Sequence, residues 1–261
     1  MPNTSSGTTK IYWEENGAGD PLLLIMGLGY THEMWHRTRP AMAARFRTLV
    51  FDNRGVGKSD VPAEAWTIAD MAADALAVLD AAGVESAHVF GISMGGMIAQ
   101  ELALSYPERV RRLVLGCTAC GGRGEIPAAP PVLEVLAARA RMTPEEGARA
   151  MVPYIYDAST PPERIEEYLA IRRRTYPTAA GYLAQLRAIT TWTAGDRLGQ
   201  FQAPTLVIHG ESDQLVPPEN GRMLACGIPA ARLVMLEHAS HIFTTDQPEA
   251  AHAAILAGLI G

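Results

Sequence analysis

Cysteine is scarce in this chain: Cys117, Cys120 and Cys226 are the only three in 261 residues. An odd trio cannot form a disulfide framework, and Cys117-x-x-Cys120 has no second ligand pair at zinc spacing. The pair is expected to be small, buried, apolar side chains beside a strand end. Long apolar runs are absent too. The first ten residues, MPNTSSGTTK, are polar and carry no signal-peptide core, and no run approaches membrane-spanning length, so a cytoplasmic protein with no membrane partner is expected. Basic excess is missing: 22 Lys and Arg stand against 28 Asp and Glu, net −6, with no basic stripe, which argues against nucleic acid as a partner. Neither H-E-x-x-H nor a carboxylate cluster is present, so no metal is expected. Gly55-Val56-Gly57-Lys58-Ser59 resembles the end of a phosphate-binding loop, but that motif needs glycine at position 52, where Asp52 stands. A structural Asp-Arg turn is the expected role of this stretch, and no cofactor is implied.

What the chain does have is an ordinary globular composition, 48% apolar and 19% charged, and enough length to bury a core without staples. Apolar runs at Ile11–Glu15, Leu22–Met26, Leu49–Asp52, His88–Phe90 and Val110–Gly116 read as strands, with helical periodicity over Ile68–Gly83 and Met94–Tyr106. Continuous rather than alternating runs suit strands covered on both faces, so an α/β fold with a mostly parallel central sheet flanked by helices is expected. From Thr118 to about Leu198 no strand is visible. Helical segments near 132–142, 144–152, 162–176 and 179–191 suggest a cap, giving a core of 1–117 and 199–261 and a cap subdomain of 118–198. Strand sequence resumes at Thr205–Ile208 and Leu233–Leu236, and a helix over Pro248–Leu259 closes the chain.

The chemistry centres on Gly91-Ile92-Ser93-Met94-Gly95, which sits between a strand and a helix and reads as G-x-S-x-G, a nucleophile elbow. A serine hydroxyl needs a base, and with this elbow the partners follow in the order Ser, acid, His, in loops after later strands. Asp213 lies in the loop after Thr205–Ile208, with Glu211 as its rival nearer the strand end. His241 lies in the loop after Leu233–Leu236, with His238 as its rival; Asp213 and His241 are the preferred pair. Oxyanion donors are expected from the backbone N–H groups of Met94 and Leu28, the latter in the close-approach loop Gly27-Leu28-Gly29. Gly27, Gly29, Tyr154, Trp192 and Ile242 are candidates for the substrate pocket, with Tyr156, Tyr176, Tyr182 and Met151 available to it from the cap. Met142, Leu169 and Leu183 read as cap core, and Arg172-Arg173-Arg174 as a solvated helix face. His32 and His36 are expected at the surface or in caps, and His88 and His209 as hydrogen-bonded core residues.

Five stretches together carry a likeness: LLLIMGLG (22–29), FDNRGVGKSD (51–60), VFGISMGGMIAQELALSYPERVRRLVL (89–115), APTLVIHGESDQLVPP (203–218) and HASHIFTTDQPEA (238–250). In these the chain resembles the α/β-hydrolase superfamily over nearly its full length, and within it the small bacterial esterases and the 3-oxoadipate enol-lactonase group. Members typically carry a Gly-His pair followed five places on by an acid and then Gln-Pro-Glu. Here Ser240 replaces the glycine, while His241, Asp246, Gln247, Pro248 and Glu249 keep the spacing, which favours His241 over His238. Many members have His-Gly before the oxyanion loop, where this chain has Met26-Gly27.

The resemblance implies a cofactor-independent serine hydrolase (a carboxylesterase or lactonase) acting on a small-molecule ester or lactone. Perhydrolysis with cofactor-free halogenation, carbon–carbon bond hydrolysis, and a non-enzymatic ligand receptor on the same scaffold are the alternatives it leaves, and homo-oligomerisation stays open.

Overall fold

The computed structural model describes residues 3–138 and 141–260. Its sheet orders eight strands as β1-β2-β4-β3-β5-β6-β7-β8. These are β1 (Asn3–Ser6), β2 (Thr9–Asn16), β3 (Asp20–Ile25), β4 (Phe46–Phe51), β5 (Ala87–Ile92), β6 (Val110–Gly116), β7 (Thr205–Gly210) and β8 (Arg232–Leu236). β1 pairs antiparallel with β2, and β2 with β4; every pairing from β4 across to β8 is parallel. The fold is therefore the α/β one expected, a mostly parallel sheet with helices against both faces.

The strand runs show why. Along β3, Leu22 and Leu24 face one apolar layer and Leu23 and Ile25 the other, all fully buried. One layer is completed by α2 (Ile68–Ala81), α3 (Met94–Ser105) and α8 (Pro218–Gly227), the other by α1 (Thr38–Ala43), α9 (Phe243–Asp246) and α10 (Pro248–Ile260). Each leucine so buried contributes about 1.5–3 kcal/mol of transfer free energy. β1 and α8 were not legible as elements: β1 is a polar NTSS held by pairing with β2, and α8 turns a single leucine, Leu224, fully inward.

Between β6 and β7 the described residues form α4 (Pro130–Ala138), α5 (Pro144–Ile155), α6 (Pro162–Thr175) and α7 (Ala179–Thr190). The helix read over 132–142 begins two residues earlier, and its 139–140 portion lies outside the described residues. Thr143 and Glu146 form a reciprocal capping box that fixes where α5 starts. Val132, Met151, Ile155, Tyr156, Tyr168 and Leu169 make a third core, against which Tyr30, Met34, Leu215 and Ile242 also pack. Leu183 is not part of it. The residue is 61% exposed, because the inward face of α7 is that of Gly181, Gln185 and Ala188.

Candidate active site

Ser93 sits between β5 and α3 at φ 57°, ψ −126°, a conformation that a residue with a side chain adopts only under constraint. The constraint is visible on both sides. Its N–H donates to Gly116 (2.9 Å), while its carbonyl accepts from Gly96 N–H (2.8 Å) and Thr118 Oγ1 (2.7 Å). A Cβ at Gly91 would lie 2.2 Å from the Gly95 carbonyl oxygen, and one at Gly95 would lie 2.1 Å from that of Ile25. The two glycines of the elbow thus allow strand and helix to meet with no side chain between them. Met94 opens α3, so its N–H has no helical acceptor ahead of it and faces the serine end of the helix.

The loop after β7 presents Asp213, buried, with Oδ1 accepting the N–H groups of Leu215 and Val216 at 2.9 Å each. Its Oδ2 accepts from Nδ1 of His241 at 2.8 Å. A second imidazole, His209, donates Nε2–H to the Val216 carbonyl (2.8 Å) and lies 3.4 Å from the same Oδ2. Burial alone would raise the Asp213 pKa, but the His241 and His209 imidazoles beside it outweigh that and hold its carboxyl well below the usual carboxylate range. Glu211 is exposed one turn away, with its N–H on the Leu236 carbonyl. His238 is exposed as well and takes φ 54°, its carbonyl accepting from Gln247. The geometry brings His241 and Asp213 together, and leaves both rivals outside.

Ser93 and His241 line one cleft with Met26, Gly27, Tyr30, Met34, Trp35, Ile92, Tyr168, Ile242, Thr244 and Thr245. Of the pocket candidates, Gly27 and Ile242 belong to it. Gly27 runs so close to Ser93 that a Cβ on the glycine would lie 3.1 Å from the serine's own Cβ. Trp192 does not belong: its Nε1–H donates to Glu101 Oε2 (2.7 Å), which also pairs with Arg197, and the ring packs against the apolar layer of α2 and α3. Tyr154 packs against the third core, and its carbonyl accepts from Ser240 Oγ. Gly29 lies under Tyr182 and Pro177, and is held by α6 and α7 rather than turned to the cleft. Tyr30, Met34 and Trp35 were missed because they stand in the irregular stretch after β3, where no periodicity marks a face.

Two further expectations are corrected. His32 is buried, with its Nδ1 and N–H both on Asp52 Oδ1 (2.7 and 2.8 Å), so it fastens the strand end after β4 instead of standing at the surface. Arg172 is 3% exposed, because the helical turn rotates it inward while Arg173 and Arg174 stay outside with Glu145 and Glu33. The Asp52–Arg54 segment is a structural turn: Asn53 Nδ2 donates to the Met26 carbonyl (2.8 Å), and Arg54 makes a two-pronged ion pair with Asp74. Cys117 is buried directly after β6, where burial pushes its thiol well up. Among the described residues no helix is long and apolar enough to cross a membrane.

Sheet, strand-to-helix turn and His–Asp pair define an α/β-hydrolase scaffold with a serine at the turn between β5 and α3. The chain belongs to the alpha/beta hydrolase fold family, whose model matches residues 20–155 and 127–248. It is 34% identical to a protein of Azorhizobium caulinodans provisionally named as a carbamate hydrolase, over 95% of this chain and 94% of that one. It is 33% identical to the poly(3-hydroxyalkanoate) depolymerase of Ectopseudomonas oleovorans, over 88% and 81% of the two chains. Among solved structures, the enol-lactonase of Burkholderia xenovorans LB400 superposes with a TM-score of 0.87 at 28% identity, covering all of both chains. These likenesses support hydrolase chemistry on this scaffold.

Proposed function

We propose that the protein is a serine hydrolase that cleaves carboxylic esters or lactones through an acyl-enzyme on Ser93. One observation carries this reading: the His241 ring, held at Nδ1 by Asp213 at 2.8 Å, borders the same cleft as the elbow serine. With Nδ1–H committed to a carboxylate, Nε2 is left as the basic nitrogen. Ser93 Oγ attacks the substrate carbonyl carbon as its proton passes to His241 Nε2. The tetrahedral oxyanion is received by the N–H groups of Met94 and Leu28; losing one such donor typically costs about 2.7–4 kcal/mol in the transition state. Collapse expels the alkoxide, which takes the proton from His241. A water then repeats the sequence against the acyl-enzyme and releases the carboxylic acid. In a lactone the alkoxide remains tethered, and the product is a hydroxy acid.

The lining favours an uncharged acyl group. Apart from His241, the described residues around the cleft carry no ionisable group other than the phenols of Tyr30 and Tyr168, and Met26, Met34, Trp35, Ile92 and Ile242 supply apolar surface. The helical insertion is taken to act as the cap over this cleft. The names of the depolymerase and the enol-lactonase, a polyester and a lactone, are consistent with an acyl–oxygen bond as the target.

The test is a panel of p-nitrophenyl esters and simple lactones with wild type and Ser93→Ala at matched folding. Ser93→Ala is expected to lower kcat/KM at least about a thousandfold. Full activity of that variant would overturn the proposal. Activity that needs peroxide would replace it with perhydrolysis, and a single turnover without a second would replace it with a receptor.

A further inference from the structure

Both backbone polar groups of Gly29 are held by side chains from the helical insertion. Its N–H donates to Gln185 Oε1 on α7 (2.8 Å), and its carbonyl accepts from Arg172 Nη1 on α6 (2.5 Å). Gln185 Nε2 donates in turn to the Arg54 carbonyl (2.8 Å), on the loop where Arg54 is fixed by Asp74. Gln185 is fully buried and makes a bridge between two core loops. The Arg172 guanidinium is stacked 4.1 Å from the Tyr30 ring centroid and 5.2 Å from that of Tyr176. No carboxylate among the described residues is within ion-pair distance of it. A buried cation without a counter-ion is costly, and aromatic faces and one carbonyl offset only part of that cost. Simple packing would be served as well by an apolar side chain.

The loop these residues hold is the one that carries the second oxyanion donor. Residues 27–30 form a turn closed by Tyr30 N–H on the Gly27 carbonyl (3.3 Å), with Gly29 at φ +71° in its third position. The peptide joining Gly27 to Leu28 is trans and planar, so Leu28 N–H points opposite to the Gly27 carbonyl, out of the turn. None of the bonds just described occupies that N–H. Its direction follows the tilt of the turn, which is held on one side at Gly29 and on the other by Asn53 at the Met26 carbonyl.

Resting on the acyl-enzyme reading above, we infer that Gln185 and Arg172 are positioning residues that aim the Leu28 N–H at the oxyanion, so that the helical insertion is a working part of the oxyanion hole rather than only a cover. A displacement of about 1 Å in such a donor costs on the order of a hundredfold in rate.

The experiment compares Gln185→Met, Gln185→Glu, Arg172→Met and Arg172→Lys with wild type, reading kcat and KM on p-nitrophenyl butyrate. It also reads the inhibition constant of an alkyl trifluoromethyl ketone, whose adduct carries the oxyanion, and the thermal midpoint. The Met variants are expected to lower kcat roughly 10- to 100-fold with KM within about twofold, and to weaken the ketone by the same factor as kcat. Arg172→Lys keeps a donor for the Gly29 carbonyl and is expected to recover most of the loss. Gln185→Glu keeps the acceptor for Gly29 N–H but sets an oxygen against the Arg54 carbonyl, and is expected to recover only part of it. If Gln185→Met does not fold, Gln185→Asn, which keeps the amide but falls short of Gly29, is expected to show the same kcat loss. Unchanged kcat and ketone affinity in folded Met or Asn variants would overturn the inference while Ser93→Ala stayed inert. A fully active Ser93→Ala would instead remove the reading on which it rests.

Discussion

Asp213 commits each carboxylate oxygen to different donors, and this decides what an amide in its place would do. Oδ1 takes two backbone N–H groups, so the oxygen of an Asp213→Asn amide stays on that side. Its NH2 then faces His241 Nδ1, which must become an acceptor, and the imidazole proton moves to Nε2. In that tautomer the ring cannot take the Ser93 proton. Asp213→Asn is therefore expected to lower kcat by about 10⁴ with KM little changed, measured on the best ester of the panel. A fall of less than tenfold would show that His241 does not depend on this carboxylate. The residue scale is also where the sequence was most readable. Ser93, Asp213 and His241 stand in loops directly after apolar strand runs, and their chain order is a property of the sequence itself. Arg172 and Trp192 were not readable in this way. Their partners, the Gly29 carbonyl and Glu101, lie 143 and 91 residues away, and a run of three arginines does not say which of them the helix turns inward.

Helix α7 meets the core almost backbone to backbone. A Cβ on Gly181 would lie 1.9 Å from the Gly55 carbonyl oxygen, so the helix must retreat to accept one. Gly181→Ala has the better helix propensity, by about 1 kcal/mol, yet is expected to destabilise the protein by about 1–3 kcal/mol in urea unfolding, because the clash lies against fixed backbone. It should also lower kcat, since Gln185 rides on the same helix; equal or greater stability would show that α7 has room to shift. The elements differed in how well they could be read. β3 and β5 are continuous apolar runs, and α2 repeats at helical spacing, so local sequence is sufficient for them. β1 exists through its partner, and the face of α7 that is buried is made of Gly181, Gln185 and Ala188, which no hydrophobic pattern distinguishes.

Across the whole molecule, the helical insertion and the histidine loop are stapled at Asp246. Its Oδ1 accepts from Thr160 Oγ1 (2.6 Å), ahead of α6, and its Oδ2 from the Ser240 N–H (2.7 Å), next to His241. Arg164 adds bonds to the carbonyls of Thr245 and Asp246, and Ile242 N–H donates to Ile155. Burial raises the Asp246 pKa to about 6. Its unfolded value is about 3.9, so the folded state binds this proton more tightly. The stability it contributes is fully present below about pH 4 and is lost as pH rises through about 6. Between pH 5 and 7.5 the wild type is expected to lose about 1–1.5 kcal/mol relative to Asp246→Asn, whose amide can serve Ser240 and Thr160 without titrating. Urea unfolding at the two pH values measures the gap, and a gap independent of pH would count against it.

The strand order also has a consequence in time. Ser93 follows β5 in the middle of the sheet, whereas Asp213 and His241 follow β7 and β8, which come later in the chain and finish the sheet's far edge. On the acyl-enzyme reading, a nascent chain displays its nucleophile before it owns its base. Catalysis on that reading waits for both later strands, and chains that have not yet paired β7 and β8 stay chemically silent.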